Sequence, residues 1–129
     1  MSPHRLWRRF AADRGGASAV EFAIILPVFI LLVLGSISVG MLTFSISSLN
    51  YAVEDAARCA AVNKVLCSSP GTTAKYALAR YMGPPITPVF TYSTSGCGNT
   101  VSATATYKMD IIPQIASIPL KASACHPSA

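Results

Sequence analysis

The stretch Phe22–Phe44, FAIILPVFILLVLGSISVGMLTF, decides the fold. Its first part, Phe22–Leu34, carries no polar side chain, and the rest is interrupted only by Gly, Ser and Thr. No charge falls between Glu21 and Glu54. As a helix these residues extend about 34 Å at roughly 1.5 Å per residue. That crosses a hydrocarbon core of about 30 Å. A buried core helix is the competing reading, but the run is too long for so small a chain. The expectation is one transmembrane helix over residues 17–44.

What surrounds the run sets its direction. Arg5, Arg8, Arg9 and Arg14 precede Gly15, opposed only by Asp13, whereas the remainder of the chain is nearly balanced. By the positive-inside rule Met1–Gly16 lies in the cytoplasm and the C-terminal part outside. Of the 129 residues, 12% are charged and 52% apolar. An average soluble domain has about 25% charged residues. The balance excludes an acidic disordered chain. It also argues against a large enzyme, because the residues left outside the membrane form only a marginal core without staples. Nucleic-acid binding requires a basic face interleaved with aromatics. Here the basic cluster abuts an apolar run instead, so no nucleic-acid partner is expected.

Two processing readings compete. A secretory signal has a basic region, a short apolar core and a small-residue cut site. Gly35–Gly40 (GSISVG) supplies such a site, and a cut near Gly40 would release the remainder. That leaves Gly15, Gly16 and Glu21 unexplained. The second reading starts from RGGASAVEF, Arg14–Phe22. Two glycines, flexible and poor in helix propensity, give a protease room at the backbone. Glu21 is the fifth residue after Gly16. Acidic residues also favour the first turns of a helix.

This segment resembles the type IV prepilin processing site. The longer string is similar to the TadE-like minor pseudopilins of tight-adherence (Flp, type IVb/IVc) pilus systems. It comprises GGASAVEFAIILPVFILLVLG, with Val20-Glu21-Phe22-Ala23 and Pro27, and then AVEDAARCAAV over Ala52–Val62. The resemblance covers about residues 14 to 62 and implies the following. A prepilin peptidase cuts Gly16–Ala17 on the cytoplasmic side, with Gly15, Gly16, Ala17, Glu21 and Phe22 as the processing residues. The helix stays on the mature protein. Glu21 meets a positive partner, such as a neighbouring subunit's N-terminal amine, during assembly. The partners are the membrane, the peptidase, other pilus subunits and the assembly platform. The location is a bacterial inner membrane, with the C-terminal domain periplasmic or incorporated in a pilus. Pro27 lacks an N–H and should bend the helix near Ala23–Pro27.

Beyond Phe44 the helix is expected to continue as an amphipathic segment over residues 45–66. Ile46, Leu49, Val53, Ala56, Ala57, Ala60 and Val65 recur at steps of three and four. Glu54 and Arg58 make a favourable i,i+4 pair. The alanine-rich stretch reads as helix–domain packing, and it also suits close contact with helices of other subunits. Composition shifts at Cys67. Residues 67–129 read as a small extracytoplasmic α+β domain. CSSPGTT (Cys67–Thr73) is a loop, Ala74–Met82 a short helix, and Val89–Thr94, Val101–Asp110 and Ile118–Ala124 are strands. Pro113 and Pro119 argue for a break and an edge position. The fold class is α+β, a long N-terminal helix packed against a small antiparallel sheet in a pilin-like lollipop, preceded by a basic leader over residues 1–16.

Cys59, Cys67, Cys97 and Cys125 all fall on the exported side, and an even count in a small exported domain indicates two disulfides. Of the three pairings, Cys59–Cys67 and Cys97–Cys125 are favoured: the first closes a helix end onto its loop, the second ties a turn to the tail. Zinc ligand spacing is missing, with no C-x-x-C and only His126 beside Cys125, so no metal is expected. The ingredients of an active site are missing too. Glu54 and Asp55 are adjacent and project about 100° apart on a helix. No cofactor, small-molecule substrate or catalytic residue is expected. The alternative to a pilus role is an uncleaved, single-pass, membrane-anchored extracytoplasmic binding module.

Overall fold

The computed structural model describes residues 16–111 and 114–128; the leader before Gly16, Gly15 included, and Pro113 lie outside the described residues. Helix α1 spans Gly16–Val62, α2 Pro70–Arg80, and the strands are β1 (Val89–Ser95), β2 (Gly98–Ile111) and β3 (Gln114–His126). The chain divides into two compact units at Ile37/Ser38.

The first unit is the N-terminal part of α1. Its apolar side chains are exposed on every face, among them Val20, Phe22, Ile24, Phe29 and Leu31. The helix passes through Pro27. Ser36 satisfies its hydroxyl locally, donating to the Val33 carbonyl at 2.8 Å. Such back-bonding keeps a polar group tolerable in an apolar helix.

The second unit opens with the remainder of α1, where Thr43 and Ser45 bond back to the carbonyls of Val39 and Met41 in the same way. The helix ends at Val62, earlier than the apolar pattern predicts. Asn63 is the cause. Its side-chain oxygen accepts from the N–H groups of Val65 (3.2 Å) and Leu66 (3.1 Å), and its carbonyl accepts from Cys67 N (3.0 Å). Asn readily offers the backbone this alternative to a helix. Lys64 donates to the Ala60 carbonyl at the same terminus, where a cation is favourable. A disulfide joins Cys59 to Cys67 across the turn.

Helix α2 begins before its predicted start and covers part of the expected loop. Ser69 is the N-cap, Pro70 sits where its missing N–H costs nothing, and Thr72 completes a reciprocal capping box. The helix stops at Arg80, and Met82 N instead donates to Ser48 Oγ of α1 at 2.8 Å.

The sheet is an antiparallel meander in the order β1-β2-β3. Phe90 pairs with Ala103 and Tyr92 with Val101. Ala103 pairs with Ala122, Val101 with Ala124, Ala105 with Leu120 and Tyr107 with Ile118. One face is therefore apolar, and it packs on Leu49, Ala52, Val53, Ala56 and Ala57 of α1 together with Ala77 of α2. The other face carries Ser and Thr; Ser102 and Ser123 bond across it at 3.1 Å. Pro119 occupies the edge strand β3, where its lack of an N–H is tolerated. In the β1–β2 turn Gly98 adopts φ +126°, and a Cβ there would stand 2.5 Å from the His126 carbonyl oxygen. A second disulfide joins Cys97 of this turn to Cys125.

Candidate processing and assembly segment

Gly16 is the first residue of α1, and a Cβ placed on it meets nothing within 4 Å. Nothing within the described chain therefore requires glycine at this position. Glu21 is exposed and lies beyond the first helical turn, which holds no acidic residue. The helix-dipole benefit fades within the first turn, so at Glu21 it is small. Phe22, directly after it, is exposed.

From Phe22 onward no charge interrupts the exposed run, and large apolar side chains are exposed through Phe44. α1 is the one helix among the described residues long and apolar enough to cross a membrane, with a mean hydropathy of 2.8 over its most apolar window, none of which is buried within the chain. A helix apolar on every face is stable only when surrounded by lipid or other apolar surface. The arrangement fits a single-pass membrane anchor.

In the second unit one polar cluster escaped the sequence reading. Tyr76 OH donates to Asp55 Oδ2 at 3.0 Å, Arg80 Nη2 donates to Tyr76 OH at 2.9 Å, and Arg80 Nε lies 3.1 Å from Asp55 Oδ2. The hydrogen bond to Tyr76, with the charges of Tyr76 and Asp55, holds the Arg80 guanidinium above its ordinary range. This ion pair, not Glu54 with Arg58, is the one formed among the described residues, because α2 brings Arg80 across to α1. Tertiary placement of this kind leaves no local signal. A hollow of about 430 Å³ lies beside it, lined by Tyr51, Glu54, Arg58 and His126. Among the described residues no three His, Cys, Asp or Glu side chains converge as a metal site would require.

Residues 16–58, about a third of the chain, match the model of a protein family described as TadE-like protein. The match begins at Gly16, runs through the apolar helix and ends at Arg58. It is consistent with a TadE-like protein of tight-adherence pilus systems. No curated protein and no solved structure gives a significant match.

Proposed function

We propose that this chain is a minor pseudopilin that contributes to the assembly or initiation of a tight-adherence pilus. In this reading a prepilin peptidase hydrolyses the Gly16–Ala17 bond from the cytoplasmic side. Water adds across the peptide bond, leaving a carboxylate on Gly16 and a new amine on Ala17. The leader departs and α1 remains as the membrane anchor. The observation that carries the reading is the extent of the TadE-like match, which starts at the glycine before the proposed bond. An α-amino group has an ordinary pKa near 8 and is largely charged at neutral pH. Glu21, the last charge before a long uncharged run, then supplies the carboxylate for a neighbouring subunit's amine. The protein acts as substrate and subunit, not as catalyst. The second unit, with its disulfides, stands outside the cytoplasm.

The test is the intact mass and N-terminal sequence of the protein isolated from its native membrane. An N-terminus at Ala17 is expected. Retention of Met1 in cells with an active peptidase would make the chain an uncleaved anchored module. An N-terminus near Met41 would mean secretion, with the helix discarded.

A further inference from the structure

The segment Tyr81–Pro88, YMGPPITP, joins α2 to β1 and has no charged residue. It is bound to α1 just past the apolar run. Met82 N donates to Ser48 Oγ at 2.8 Å, and Tyr81, next to it, is half-buried. Burial pushes the Tyr81 hydroxyl pKa up. The loop is braced internally as well. Tyr81 OH and Ile86 N both donate to the Pro84 carbonyl at 2.8 Å. Thr87 is held at φ 46°, a left-handed conformation that β-branched residues avoid and that a following proline disfavours further. Strain of that kind persists only where the surroundings over-determine it, and it concentrates at binding sites.

What the loop presents is apolar. Met82 is 68% exposed and Val89, at the start of β1, 59%; on the last turn of the apolar run of α1, Met41 and Phe44 are about half exposed. Headgroup layers add about 5–7 Å on each side of the hydrocarbon, or roughly four residues of helix. If Phe44 ends the buried span, Ser45 and Ser48 lie in that layer, and so does whatever Ser48 holds. Lys108 lies next to Pro84–Thr87 across a hollow of about 410 Å³. It is exposed, and it offers a cation where lipid phosphates would be.

We propose that Tyr81–Pro88 is a second membrane contact: the loop rests in the outer headgroup layer, with Met82 dipping toward the acyl chains and Lys108 facing lipid phosphate. The occupant of this apolar surface is the bilayer itself, continuous with the lipid around α1. The proposal rests on α1 being a membrane span, and the experiment separates the two.

The single tryptophan, Trp7, is first replaced (Trp7→Phe). One tryptophan is then introduced into the full chain, by Met82→Trp, by Leu31→Trp in the apolar run, or by Ser93→Trp on the outer face of β1. Each protein is reconstituted in phosphatidylcholine–phosphatidylglycerol vesicles. Fluorescence is quenched by lipids brominated at shallow or deep acyl positions and, separately, by aqueous iodide. The expected result is blue-shifted emission at position 82, with shallow-lipid quenching several-fold above that at position 93. Position 31 should respond to the deep quencher. If position 31 is quenched by lipid but position 82 behaves like position 93, the loop proposal is wrong and the span stands. If position 31 is not quenched by lipid, the span reading fails and the loop proposal with it. If position 82 is shielded from both quenchers, a protein surface covers the loop and the lipid proposal is overturned.

Discussion

At Gly16 nothing in the described chain opposes a larger side chain, since a Cβ there meets open space. The requirement for glycine, if there is one, comes from outside. Gly16→Ala should therefore leave the melting curve of the second unit unchanged while, on the processing reading, stopping removal of the leader, a mass difference read directly from membrane-extracted protein. A trimmed Gly16→Ala protein would reject the processing reading. Glu21 supports a separate expectation. A carboxylate at a membrane-helix centre costs about 2.5–3.5 kcal/mol, and less near the interface, so Glu21→Ala makes insertion no harder. It should insert and be trimmed normally but yield few pili in a shear-and-count assay; unchanged pilus numbers would remove the assembly role. Glu21 was legible as the last charge before a long apolar run. Its place just past the first turn was legible too, since the expected helix start at residue 17 lies one residue from the observed Gly16.

The elements were legible where one pattern dominated and obscured where a single side chain redirected the backbone. β2 alternates apolar and polar residues from Val101 to Met109, and it is the central strand. α1 announced itself by uninterrupted hydropathy. Its end did not, because Asn63 captures two N–H groups that a continuing helix would have used. At α2 the Pro70-Gly71 pair reads as a breaker, yet Ser69 turns it into a capped start. Ser69→Ala removes that cap and should cost about 1 kcal/mol, seen as a lower thermal midpoint in detergent; no change would show that α2 is held by packing alone. The disulfides differ in access. Cys59 and Cys67 are buried, whereas Cys97 and Cys125 are exposed. Because exchange requires an attacking thiolate to reach sulfur, mild dithiothreitol should open Cys97–Cys125 first, as peptide mapping after alkylation would show. Alkylation of Cys59 and Cys67 first would contradict this order.

At the scale of the folded unit, the contact between α1 and the sheet is built largely of alanine. Ala52, Ala56 and Ala57 face Ala103 and Ala122, with Leu49, Val53, Val101 and Leu120 as the larger members. Small residues on both sides let the backbones approach closely, and they leave little slack for an added side chain. From sequence this stripe had two readings, packing against the chain's own domain or contact with helices of other subunits. Periodicity shows which residues share a face but not what covers it. The structure gives Ala56 no exposed surface, because it lies within the chain's own core of α1, α2 and sheet residues. Ala56→Leu then inserts three carbons into a filled space. Overpacking of that kind costs about 1–3 kcal/mol, and each kcal/mol moves the midpoint of a domain this size by roughly 4–8 °C. Ala79→Leu on the exposed side of α2 should leave it unmoved. Thermal melts of both variants in the same detergent, followed by near-ultraviolet circular dichroism, make the comparison. A stable Ala56→Leu protein that nonetheless fails to support pili would mean that the stripe serves contacts between subunits, and that the helix–sheet packing yields more readily than its alanines imply.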